Sequence, residues 1–276
     1  MKKFLTLFEV ELRKNAFLMI TAFIAITLIS TWIFHWQISQ GYQRMMSDML
    51  HLNLSYEAFV EAHGYVSLVT INREVGAEGL HPVLFIFSFF LLMPILTFFL
   101  WKKEWSGRAK RIYFLLSLTG SRFKIFLMKA LTVLLTAWLF YGVILLNFTI
   151  GAFIVTLMFP SEVIGQGMVA QYLQSSHWLI HLVLPHTIGQ FLYHSVFILA
   201  IFATISAWFL SVKSFRWLGF IIGFIYSVGI FALYIYTQTL WLFSDERLLV
   251  DWAFAVGVFI ANIALCYYLL QKKISV

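Results

Sequence analysis

Six apolar runs, each close to or above the ~20 residues that a helix needs to cross a bilayer, leave this chain few ways to fold. They lie at about residues 16–35, 83–101, 126–159, 188–210, 217–239 and 252–270. With 62% of its 276 residues hydrophobic and only 11% charged, the chain lies outside the range of a water-soluble domain. The expected fold is an all-α polytopic membrane protein with six spans, built as a single domain over residues 1–276.

The basic residues give the topology an independent check. Lys2, Lys3, Arg13, Lys14, the eight from Lys102 to Lys129, Lys213, Arg216, Lys272 and Lys273 share one side, making sixteen of the nineteen Lys and Arg. Only Arg44, Arg73 and Arg247 fall on the other side, together with nine of the twelve acids. Basic residues set orientation through the positive-inside bias, so both termini are expected to be cytoplasmic. The same bias accounts for the net charge of +7 without nucleic acid, because no basic patch is interleaved with a stacking platform.

Residues 2–14 place Phe4, Leu5, Phe8 and Leu12 on one helical stripe, with charges around the rest. That pattern predicts an interfacial amphipathic helix ahead of the first span. The apolar stretch after it is long and ends in Trp36-Gln37-Ile38 rather than small residues, so it reads as a retained span and not a cleaved signal. Two outer segments, 36–82 and 160–187, separate spans 1 from 2 and 3 from 4. The first has room for two short helices. Pro94 lies inside span 2, where it predicts a kink or a close approach of neighbours.

The loop over residues 102–125 carries the densest chemistry. Seven basic residues from Lys102 to Lys124, followed by Lys129, flank an apolar island from Ile112 to Leu118. Orientation alone needs no such island. A short apolar segment bounded by Arg and Lys suits a helix that docks in a groove of another protein, or one that merely extends packing at the membrane surface.

Glu104, Gly107, then Leu115-Leu116-Ser117-Leu118-Thr119-Gly120-Ser121-Arg122 and Lys129 resemble a pattern of the type-2 permease subunits of ATP-binding-cassette (ABC) exporters. In that family a Glu and a Gly precede a Leu-Leu-Ser-Leu-Pro-x-Ser-Arg stretch, and a Lys follows as the third span begins. Thr119 stands here in place of the Pro. The resemblance implies a half-permease that binds a separate ATPase through Glu104, Gly107, Arg108, Arg111, Leu115, Leu116, Arg122 and Lys124. It also implies a second permease chain and ATP with Mg on the partner subunit, in a bacterial plasma membrane. No cofactor is expected on this chain, which has no G-x-x-x-x-G-K-[ST] and is not expected to be an enzyme.

Elsewhere the sequence offers fewer leads. His177 and His181 stand at i, i+4, a spacing that lets two imidazoles share a metal on one helix face. No Cys can join them, since the only cysteine, Cys266, lies in the last apolar run. The alternative is that His is a tolerated polar residue where Lys and Arg are excluded. Asn147, Gln190 and Asn262 are polar exceptions within spans, suited to lining a pathway or to a helix–helix hydrogen bond. Gly219 and Gly223 form a GxxxG suited to close helix packing. Absence of midplane acids speaks against an ion-coupled carrier, and an aromatic interior suits an amphipathic or hydrophobic cargo such as a peptide antibiotic or lipid-like molecule. A non-transporting sensor or scaffold, or an intramembrane metalloenzyme using the outer histidines, are the competing readings.

Overall fold

The computed structural model describes residues 2–74, 80–105, 123–174, 184–185, 187–211, 216–238 and 244–269. Among the described residues the regular structure is helical, joined by short connections, with no strand and one isolated bridge. Nine α-helices are described, in order. They are α1 (Lys2–Leu52), α2 (Tyr56–His63), α3 (Leu68–Glu74), α4 (Leu80–Trp105) and α5 (Phe123–Met158), then α6 (Met168–Gln174), α7 (Ile188–Ser211), α8 (Arg216–Gln238) and α9 (Ser244–Tyr268). Among the described residues, four helical stretches are long and apolar enough to cross a membrane: Phe8–Leu52, Val83–Lys102, Phe123–Met158 and Ile188–Leu210. Helices α8 and α9 hold the shorter apolar stretches Leu218–Ile230 and Trp252–Tyr268.

Two boundaries differ from the sequence reading. The interfacial helix over 2–14 and the first apolar run are one helix, and α1 continues without a break to Leu52. Nothing between Lys2 and Leu52 forces a stop: the stretch contains no Pro, and its one Gly, Gly41, sits against α3. Asp245, Glu246, Arg247 and Asp251, which precede the sixth apolar run at 252–270, lie within α9. Helix α4 likewise runs on through Pro94.

The chain forms two compact units. Unit 1 comprises Met1–Met19, Phe90–Trp138 and Pro185–Val276. Its centre is α7, whose Ala200, Ala203, Thr204, Ser206 and Ala207 are all buried. These small side chains let neighbours come close. A Cβ on Gly223 of α8 would stand 3.0 Å from Trp208 Cβ and 3.2 Å from Ile205 Cα, so the glycine face of α8 is occupied by α7 of the same chain. Cys266 of α9 approaches the Ala203 carbonyl at 3.2 Å. Trp138 of α5 donates to Ser195 Oγ at 3.1 Å.

Unit 2 comprises Ile20–Phe89 and Leu139–Leu184. Helix α1 ends in a Schellman-type turn: Asn53 takes φ 49°, and Leu54 N–H reaches back to Met49 O at 3.0 Å. Ser55 Oγ then caps α2 by accepting from Ala58 N–H. Ser67 and Thr70 cap α3 reciprocally, Ser67 N–H to Thr70 Oγ1 at 2.8 Å and Thr70 N–H to Ser67 Oγ at 3.3 Å. The two segments treated separately in the sequence fold together here as one cap. Val66 N–H donates to Val163 O at 2.8 Å and Gly165 N–H to Val66 O at 2.9 Å, a parallel bridge between them. Phe59, Val66, Leu68, Ile71, Phe159, Val163, Met168 and Tyr172 are buried beneath it.

Within each unit, α1 and α5 meet at one sequence offset. In unit 1, Thr136 meets Met19 across 117 positions. In unit 2 the same offset pairs Phe23 with Phe140 and Tyr42 with Phe159, and it sets Gly151 against the Phe34 ring. A Cβ at Gly151 would lie 2.9 Å from that ring, so the seam admits no larger residue without movement.

Candidate functional site

The basic loop is entered from α4 and left through α5, and both of its ends meet at one side chain. Lys129, fully buried one and a half turns into α5, directs its Nζ at Glu11 Oε1 at 2.9 Å and at the Leu100 carbonyl at 2.6 Å. The ammonium also stands 5.4 Å from the centre of the Trp101 ring, within cation–π reach. Trp101, itself fully buried, donates its indole N–H to Ser206 Oγ of α7 at 2.8 Å and stacks on Phe209. One cation therefore joins α1, the last turns of α4 and the first turns of α5, and the indole beside it extends the join to α7.

Glu11 is almost wholly buried and is shared with Lys14, whose Nζ lies 3.6 Å from the second carboxylate oxygen. Asn15, also buried, donates to the Glu11 carbonyl at 2.8 Å. By contrast Glu9 and Arg13 form an exposed i, i+4 pair at 2.8 Å. The difference follows from position on α1: Glu11, Asn15 and Met19 share the buried stripe at i, i+4, i+8, whereas Glu9 and Arg13 lie on the open face. Lys124 is exposed and Lys102 half-buried over Phe98 and Phe99, so neither shares the burial of Lys129.

A buried ion pair is weak evidence for a stability role. Desolvating both charges offsets much of their attraction, while leaving either one alone costs about 3–5 kcal/mol. What the pair supplies is position: Glu11 fits only where an ammonium awaits it, so the register of α1 against α5 is pinned at this level.

The sequence reading singled out Lys129 but not its partner. A lone ammonium within the run Met128-Lys129-Ala130-Leu131 requires an acid, and on that side of the topology only Glu9, Glu11 and Glu104 are available. Glu11 is one of those three.

Other singled-out positions fall differently. Gly107, Arg108, Arg111, Leu115, Leu116 and Arg122 lie outside the described residues, as do His177 and His181 and the side chain of Glu104. Asn147 is fully buried, with Nδ2 on the Val143 carbonyl at 2.7 Å, and Asn262 makes the same bond to Val258 at 2.8 Å. Gln190 is half-buried in the first turn of α7, where its N–H is capped by Thr187 Oγ1. Gly219 and Gly223 are buried. Among the described residues no group of three or more His, Cys, Asp or Glu is placed to hold a metal.

Comparison with known protein families, with curated proteins and with solved structures finds no match for this chain. Among the described residues, the class defined by the fold is all-helical, with four helices long and apolar enough to span a membrane.

Proposed function

We propose that the chain is the membrane half of an ABC-type exporter. In this reading it is a permease subunit that binds separate P-loop ATPases through the 102–124 loop and pairs with a second permease chain. ATP and Mg²⁺ are held by the partner, and this chain is not itself an enzyme. The observation that carries the reading is the construction at the loop's base. A loop that transmits force from a partner needs rigid ends, and here Lys129 ties both ends to α1 and, beside Trp101, to α7. The basic and apolar content of residues 102–124, and the likeness of its motif to that family, support the same reading.

The full proposal has six spans, both termini on the cytoplasmic face of a bacterial plasma membrane, and an amphipathic or hydrophobic cargo. The sixteen-to-three split of Lys and Arg supports the orientation. The cargo class rests on the apolar, aromatic character of the helices.

The test is purification of the tagged protein from its native membrane with identification of what accompanies it. A stoichiometric P-loop ATPase, lost when residues 102–124 are scrambled, is the expected result. The protein purifying alone, with zinc bound, would defeat it in favour of the histidine-bearing segments. In the intact complex, Glu104→Ala with Arg122→Ala should leave membrane insertion unchanged and uncouple ATP hydrolysis from transport.

A further inference from the structure

Four polar atoms in unit 2 are sealed from solvent and have no hydrogen-bond partner among the described residues: Ser30 Oγ, Gln37 Nε2, Gln37 Oε1 and Asn147 Oδ1. All three residues are fully buried. Asn147 spends only its Nδ2, on the carbonyl one turn back. The 117-residue register that pairs Phe23 with Phe140 and Tyr42 with Phe159 puts Ser30 at the level of Asn147. Gln37 follows two turns along α1, about 10 Å on at 1.5 Å per residue.

The surroundings of this level are aromatic. Phe34, between Ser30 and Gln37 on the same stripe, meets Phe148 edge-on at 6.1 Å, and Phe148 meets Phe85 at 5.6 Å. An amide or hydroxyl without a partner in such a setting is strongly disfavoured, and native interiors avoid it by enclosing water. A buried water needs two to four polar neighbours. Ser30 and Asn147 offer two at one level, and Gln37 offers a donor and an acceptor of its own.

We propose that the α1–α5 seam of unit 2 is a hydration site, with water held between Ser30 and Asn147 and beside Gln37. Water is the occupant that the chemistry selects. The site has no charge to hold an ion. Its atoms lie beneath the surface of this one chain, where the side chain of a second copy cannot reach. Its mix of a hydroxyl, an amide donor and two amide oxygens matches a molecule that both donates and accepts. The proposal stands apart from the transport reading. Its mechanical consequence is that α1 and α5 can shift at this level by exchanging hydrogen-bond partners rather than losing them.

Hydroxyl-radical footprinting by X-ray radiolysis of the full-length protein in lipid nanodiscs, in H2(18)O, tests it, because radicals born on enclosed water label the side chains beside it. Phe34 and Phe148 are the reporters. Phe140, equally buried in the same unit but packed on Phe23 and Phe89, is the internal control. Phe34 and Phe148 should take up label severalfold faster than Phe140, and the excess should vanish in Ser30→Ala/Gln37→Leu/Asn147→Leu. Labelling of all three rings at the same low rate in the unmodified protein would overturn the proposal, with no variant needed. An excess that persists undiminished in the folded triple variant would overturn it equally.

Discussion

At the start of α5 a single ammonium holds three helices, whereas past its end three short elements are held by backbone hydrogen bonds and by shape. Lys129 reaches Glu11 of α1 and the Leu100 carbonyl of α4, and neither interaction survives a change of charge. The cap instead joins Val66 to Val163 and Gly165 through main-chain atoms, with Phe59, Ile71 and Tyr172 filling the space below. The contrast teaches where each region is vulnerable. A charged join fails when one partner is removed and recovers when both are. A join made by main-chain bonds and packing has no such second-site rescue, and loses in proportion to volume.

The largest test of that contrast is at the ion pair. Lys129→Met should destabilise the protein by about 3–5 kcal/mol, read as a lower thermal midpoint in detergent, and Glu11→Leu added to it should restore most of the loss. An additive double variant would erase the distinction between the two regions. In the cap, Phe59→Ala should cost about 3–5 kcal/mol by the same assay, with no charge change able to repair it. Gly151→Ala, which drives a methyl toward the Phe34 ring, should cost about 1–3 kcal/mol. Ser55→Ala removes the cap of α2 and should cost about 1 kcal/mol, seen first as faster proteolysis near residues 53–64. Smallest is Arg13→Gln, which breaks an exposed pair and should change the midpoint by no more than about 0.5 kcal/mol in free-energy terms. A large effect there would mean that the face of α1 carrying Glu9 is covered in the native assembly.

Much of this was legible in the residues. Long apolar runs dictate helices, and α4, α5 and α7 begin and end near where their apolar runs do. The two short helices expected within 36–82 are present as α2 and α3. The run of α1 to Leu52 was not legible, because Gln37, Gln40 and Gln43 break the apolar pattern without breaking the helix; propensity tolerates them where hydropathy does not. The union of 36–82 with 160–187 was hidden for another reason. A bridge between Val66 and Ile164 is a contact across almost a hundred positions, and nothing in either segment's own periodicity announces the other. At the base of the loop, Lys129 stood out as a charge in an apolar run, while Glu11 was camouflaged among the charges of an amphipathic helix.

The separation of 118 positions between Glu11 and Lys129 has a consequence for the order of assembly. A ribosome adds about 5–20 residues per second, so the carboxylate is made roughly 6–24 s before the ammonium that will accompany it. Throughout that interval Lys129 is not there to neutralise Glu11, and burying the carboxylate without it would be costly. The amino-terminal turns of α1 therefore stay in contact with water at least until α5 arrives, and α7, which meets Trp101 in the same join, is made later still.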